Sequence, residues 1–335
     1  MGTFLKILVI ILFYKIENLK FKAFLQEYTG KEIPKEATLR KGYVDDCYQD
    51  TLAKIRNCVS NNKIWVSIDE MTKGRFVAKV IIGVLRTDGP GEIFLLNTEE
   101  LEKANHQTIF KLFDKSMSIL WPQGVHHDNV LLFLSDAAPY MVKSGKVIQA
   151  LYSKMIHVTC IVHGFHRVAE EVRSYFNIVD RLISSVKKVF LKAPTRSRIF
   201  KNEAPDIPMP PRPILNRWGT WLDAANYYCE NYEVIKNIIN KLDENDASSI
   251  KKAKDIFNNP NLKAILAFIS SNYSFLSTYI TRLEKQNMML SESISVVKIV
   301  KEKLQSPQGK EGIATYKKLE NVLSKNKGFE IIEQI

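Results

Sequence analysis

The sequence predicts an α/β protein: a mixed sheet with flanking helices, followed by an all-α region. Three observations predict it. Between residues 61 and 202, short β-branched runs and amphipathic runs alternate in the order β-β-β-α-β-α-β-α. Two of the strand runs, Ile64 to Asp69 and Leu131 to Asp136, are apolar and stop on an aspartate, as buried strands that deliver polar groups to a sheet edge do. Past a proline-rich stretch at 203–216, only helical periodicity remains, through 217–335.

Residues 1–60 read as a helical lead-in. Phe4 to Tyr14 is apolar apart from Lys6. It is shorter than the about 20 residues a membrane-spanning helix needs, and it lacks the basic start and small-residue cleavage site of a signal peptide. A core-packing segment, or a fragment of a longer N-terminus, is expected, and a membrane is not expected as a partner. Glu17 to Tyr28 carries Leu19, Phe21, Phe24 and Leu25 at helical spacing. Thr38 to Val59 does the same with Leu39, Tyr43, Cys47, Leu52, Ile55 and Val59.

Three strands are expected next, at Ile64 to Asp69, Arg75 to Leu85 and Glu92 to Leu96. The Asp88-Gly89-Pro90-Gly91 turn and the short first link make them antiparallel. A helix over His106 to Trp121, closed by Pro122-Gln123-Gly124, separates them from a strand at Asn129 to Ser135. Strand-helix-strand implies a parallel crossover. Pro139 suits the first turn of a helix running to about Tyr152. A strand at Met155 to Val162 and helices at His163 to Tyr175 and Val179 to Leu191 follow. This order is the layout of the ribonuclease H fold. Pro205, Pro208, Pro210, Pro211 and Pro213 then exclude helix interior and central strand. Helices are expected at Thr220 to Leu242, Ala247 to Phe257, Leu262 to Leu283, Ser291 to Leu304 and Gly312 to Leu323, and the chain is expected to stop there without returning to the sheet.

A net charge of +12 favours a polyanionic partner, nucleic acid first. Arg181 to Lys201 concentrates it: Lys187, Lys188, Lys192, Arg196 and Arg198 interleave with Leu182, Ile183, Val186, Val189 and Phe190, without one acid. A helix here buries one face and shows a basic one, either a phosphate-binding stripe or a plain solvated face. The four cysteines, Cys47, Cys58, Cys160 and Cys229, form no Cys-x-x-Cys pair and suit a reducing compartment. Cys160, His163 and His166 fall short of the four ligands that structural zinc takes.

Four motifs resemble the hAT family of DNA transposases and the host proteins derived from them. They are Trp65-Val66-Ser67-Ile68-Asp69-Glu70, Leu134-Ser135-Asp136-Ala137-Ala138, Cys160-Ile161-Val162-His163 and Arg217-Trp218-Gly219-Thr220-Trp221, in the family's order. The resemblance covers about residues 38–260 and is nearest to insect-type copies labelled as relatives of a CGG triplet-repeat-binding protein. It implies a ribonuclease H-like sheet with a partial helical insertion. It also implies that Asp69 and Asp136 are two of three metal-binding acids for Mg²⁺ or Mn²⁺, that His163 approaches DNA phosphate, and that Trp218, beside Arg217, stacks on a flipped base. Two such metals clamp the attacking and leaving oxygens of a phosphoryl displacement. The third acid, a glutamate in the family, has no counterpart here, and neither Glu292 nor Glu302 is promoted to it.

Without the resemblance, Asp69 reads as a hairpin turn residue and Asp136 as a helix cap, while Trp218 and Trp221 read as interdomain packing. The reading that results is a truncated, transposase-derived DNA-binding protein of the nucleus without turnover. Three alternatives stand beside it. One is a dimerisation module recruiting a related chain through exposed apolar helices such as Ala264 to Tyr279. Another is an active transposase completed by a longer chain, and the last is a fragment without a selected role.

Overall fold

A computed structural model describes residues 13–72, 76–214, 217 and 219–334. Most of the apolar segment Phe4 to Tyr14 therefore lies outside the described residues. Helix α1 (Leu19–Thr29) starts on Asn18, whose Oδ1 accepts the Phe21 N–H at 3.1 Å, and ends on Gly30 at φ 64°. Ile16, Leu25, Ile33 and Leu39 bury one another in a small cluster of their own. Helix α2 (Val44–Val59) turns Leu52, Ile55 and Val59 onto the sheet, and Arg56 donates to the Ile119 carbonyl at 2.7 Å.

The sheet comprises β1 (Lys63–Thr72), β2 (Phe76–Leu85), β3 (Ile93–Leu101), β4 (Val130–Ser135) and β5 (Ile156–Thr159), in the spatial order β3-β2-β1-β4-β5. The first three strands are antiparallel, and β1, β4 and β5 run parallel. This is the ribonuclease H-like mixed sheet that the element order predicts. Helix α3 (His106–Leu120) makes the crossover from β3 to β4, and α4 (Pro139–Leu151) the one from β4 to β5. Val66, Ile68, Val80, Ile82 and Phe133 form a core with α2, α3 and α4. At its centre Phe113 meets Phe133 and Tyr152 edge-on, with ring centroids 5.4 and 5.2 Å apart.

Strand limits differ from expectation in informative places. β1 continues past Asp69 to Thr72, and Asp69 sits opposite Lys79 within the ladder, so the turn-residue reading fails. β3 reaches Leu101 rather than Leu96. It is an edge strand with Ile93 and Leu95 exposed, so the polar run Asn97 to Glu100 is tolerated there. β5 stops at Thr159 because Cys160 opens the next helix.

Helices α5 (Ile161–Tyr175), α6 (Asn177–Phe190), α7 (Pro194–Glu203), α8 (Gly219–Glu230), α9 (Tyr232–Lys241), α10 (Ser248–Phe257), α11 (Leu262–Leu283), α12 (Leu290–Leu304), α13 (Gly309–Ser324) and α14 (Lys327–Glu333) complete the chain. They share one large core, which also takes in Leu132, Leu134, Ile156 and Val158 of the sheet. The exposed apolar face expected over Ala264 to Tyr279 is not there. Leu266, Ile269, Tyr273, Leu276 and Ile280 put the stripe of α11 inside, with α8 packed along the helix.

The chain also returns to the sheet, contrary to expectation. Helix α13 packs along α5, and α14 lies against β5. Buried Asn326, just before α14, takes the place of a neighbouring strand. Its Oδ1 accepts the Thr159 N–H at 3.1 Å, and its Nδ2 donates to the Thr159 carbonyl at 2.7 Å. Gly328 permits the approach, since a Cβ there would stand 1.9 Å from the His157 carbonyl oxygen.

Candidate functional site

Because β1, β4 and β5 are parallel, their C-terminal ends open on one edge, where ligands gather in open α/β sheets. Asp69 reaches that edge from β1 and is exposed; Asp136 follows β4 and is half-buried. One oxygen of Asp136 is committed locally, since Oδ1 accepts the Ala138 N–H at 3.0 Å and turns the chain into α4. This is close to the capping role that spacing alone suggests. Glu70, the next residue on β1, accepts a 2.8 Å hydrogen bond from the Tyr140 hydroxyl. Burial raises the Tyr140 pKa, and the bond to Glu70 and the charges of Glu70, Asp136 and Asp69 raise it further.

Cys160 caps α5, and His163 lies in its first turn. A hydrogen bond to Cys160 raises the His163 pKa, against burial, and the negative charges of Cys160, Asp69 and Asp136 add to the effect. Burial pushes the Cys160 thiol up, but the bond to His163, the first-turn amides and the His163 charge outweigh it, and its pKa is lowered. The two aspartates and the Cys–His pair therefore lie within one another's fields. Behind them Ser135 Oγ donates to the Asp136 carbonyl at 2.8 Å and lies 2.9 Å from His157 Nε2. With the hydroxyl proton so used, the imidazole donates through Nε2–H. His157 stacks on Phe133 at 5.0 Å, and burial lowers its pKa to about 4, so the ring is neutral.

Beside this group lies a cavity of about 810 Å³, lined in part by Cys160, His163 and five cations. Lys143 and Lys146 come from one face of α4. Arg167 comes from α5, one turn beyond His163, Lys318 comes from α13, and Lys325 is the residue that caps the end of α13. Lys318 pairs with Glu171 at 3.4 Å. Among the described residues no aspartate or glutamate lines the cavity. Helix α13 and its C-terminal cap thus present Lys318, Asn321 and Lys325 to it.

The other predicted residues lie elsewhere. Lys187, Lys188, Lys192, Arg196 and Arg198 sit on α6, α7 and the link between them, and none lines the cavity. Lys188, Lys192 and Arg198 are exposed, whereas Lys187 and Arg196 are half-buried and the Arg196 Nε is enclosed with no hydrogen-bond partner among the described residues. Arg217 is exposed, and Trp218 lies outside the described residues. Buried His166 accepts the Gly219 N–H at Nδ1 (3.4 Å) and has Nε2 4.0 Å from Glu284, so it serves the packing of α5 on α8. Glu292 pairs with Arg282 at 2.6 Å. Among the described residues no three His, Cys, Asp or Glu side chains stand together as a metal-binding group. No described helix is long and apolar enough to cross a membrane.

Fold and site together define an α/β protein whose parallel strand ends gather two carboxylates and a Cys–His pair beside a basic cavity. Residues 34–191 of this chain match the family model for a domain of unknown function, DUF659, a span that contains the whole sheet, α5 and α6. No curated protein matches the chain.

Proposed function

We propose that the chain is a transposase-derived, nuclear DNA-binding protein that grips the phosphate backbone at the cavity beside its parallel strand ends and does not turn over. The observation that carries the reading is the convergence of Lys143 and Lys146 from α4, Arg167 from α5, and Lys318 and Lys325 from α13 and its C-terminal cap, on a cavity whose described lining contains no acid. Such a concentration of one charge sign attracts polyanions strongly and without regard to sequence. The matched domain family occurs in transposase-related proteins, in keeping with the four motifs. In this reading Asp69 and Asp136 are ancestral metal ligands, Mg²⁺ or Mn²⁺ enters only if a longer chain adds a third acid, and His163 meets a phosphate. Arg217, Trp218 and the α6–α7 stripe extend the contact.

The test is fluorescence anisotropy of the whole chain on duplex and hairpin DNA across a salt series. Five phosphate contacts give a slope of log K against log salt of roughly −4 to −5. Lys143→Glu and Lys325→Glu should each weaken binding on every sequence and flatten the slope by about one. A folded protein that fails to bind at low salt overturns the reading. Loss of binding on Lys188→Glu and Arg198→Glu, with the cavity variants unaffected, moves the interface to the α6–α7 stripe.

A further inference from the structure

Among the four cysteines, Cys160 alone combines three things: a histidine one helical turn along the same helix, the first turn of a fifteen-residue helix beneath it, and a place, shared with that histidine, in the wall of a cavity large enough for a small molecule. Cys47, Cys58 and Cys229 do not line that cavity. For Cys58 the environment acts the other way, as burial and the Glu92 charge raise its pKa. Thiol exchange proceeds through the thiolate, and both a histidinium partner and a helix start favour that form. The cavity adds selectivity, because Lys143, Lys146, Arg167 and Lys325 carry charge toward anything that enters, and Lys318 adds to them.

We infer that Cys160 is a redox modification site, which takes up small anionic disulfides of the glutathione-disulfide class from the basic cavity. The Cys160 sulfur attacks one sulfur of the incoming disulfide. A new S–S bond forms and the old one breaks, and the second half leaves as a thiolate. Cys160 is oxidised to a mixed disulfide, and the departing half is reduced. With its anionic partner gone, His163 releases its proton, and the leaving thiolate takes one up, so charge and protons balance. The adduct puts carboxylates where phosphate is proposed to lie, so modification also displaces DNA. That last consequence rests on the DNA-binding reading; the reactivity of Cys160 does not.

The experiment uses the whole reduced chain and two probes, the dianionic aryl disulfide of Ellman's reagent and a neutral dipyridyl disulfide, with peptide mapping to locate the adduct. Cys160 is expected to react first with the anionic probe. Its preference for that probe over the neutral one, relative to free cysteine, should be roughly tenfold or more at low salt, the scale of electrostatic focusing in a charged cleft, and should collapse at high salt. Lys143→Glu with Lys146→Glu should slow the anionic probe alone, and His163→Gln should slow both. The comparison of probes and salts on the unaltered chain needs no variant to fold. Reaction of Cys160 no faster than Cys47 or Cys229, or equal rates with the two probes at every salt, overturns the inference. Glutathione disulfide is then applied to the chain, and DNA binding is measured on the adduct. An adduct at Cys160 in a chain that never binds DNA sustains this inference while refuting the DNA-binding reading.

Discussion

Asn326→Ala removes the amide that ties the returning chain to β5. Asn326 is 2% exposed, and its side chain makes three bonds: to the Thr159 N–H, to the Thr159 carbonyl, and to the Phe329 N–H at the start of α14. Each of the two bonds to Thr159 is worth about 1 kcal/mol net, and more where truncation leaves a half-buried backbone group unpaired. Loss of the helix cap adds about 1 kcal/mol. The sum is about 3 kcal/mol, which, at about 2.1 cal/mol/K of unfolding entropy per residue, corresponds to a fall in melting temperature of roughly 4 °C for a chain of 335 residues. Thermal unfolding by circular dichroism measures the fall, and hydrogen exchange locates it, with the Thr159 and Phe329 amides losing protection first. Asn326→Asp is the control. It keeps an acceptor for the Thr159 N–H but sets a carboxylate against the Thr159 carbonyl. Its stability should be poor near neutral pH and recover as the pH falls and the carboxyl gains a proton to donate. A melting temperature within a degree of the parent for Asn326→Ala, with Thr159 exchange unchanged, would show that the clasp contributes nothing.

Two further outcomes follow from the same edge of the sheet. Gly328→Ala sets a methyl group 1.9 Å from the His157 carbonyl oxygen and should cost about 1 to 3 kcal/mol, read as a lowered urea midpoint, because α14 has to move off β5. Burial depresses the His157 pKa to about 4 from 6.5, so the unfolded chain binds the extra proton between those values. Stability should be complete above about pH 6.5 and fall as the pH drops toward 4, by up to about 3 kcal/mol; His157→Gln, which keeps a donor for Ser135, should flatten that part of the profile, measured as urea midpoints between pH 7.5 and 4.

The sheet was legible wherever a strand is buried. Ile64 to Ile68, Val77 to Val84 and Leu131 to Leu134 announce themselves by apolar, β-branched runs, and the short links dictate their pairing. The far half of β3 was not legible. Asn97 to Glu100 looks like loop because an edge strand has no second neighbour demanding apolar side chains. Helix α14 was hidden for a related reason. A seven-residue segment with a glycine in its first turn reads as a break, and what holds it is an amide pairing with a residue 167 positions earlier. The approach of Asp69 and Asp136 to His163 followed from the strand order, which places all three at one edge. The cationic lining of the cavity did not, because Lys143 and Lys146, Arg167, and Lys318 and Lys325 each look like the ordinary solvated face of a separate helix. Only the packing of α13 on α5 brings the last pair to the others. The stripe from Lys187 to Arg198 was conspicuous because its charges are contiguous in sequence, which says nothing about where they converge in space.

The amide bridge from Asn326 to Thr159 has an architectural meaning. The chain leaves the sheet immediately after Thr159 and comes back to that same residue, so everything from Cys160 to Lys325 is a detour whose two ends are stapled together. A detour of that kind can lengthen or shorten without altering the register of a single strand. The five-stranded platform then acts as a constant socket into which different helical cassettes can be plugged. The wall that α13 adds to the cavity travels with the cassette, so a replacement would redesign the pocket while leaving Asp69 and Asp136 where they stand.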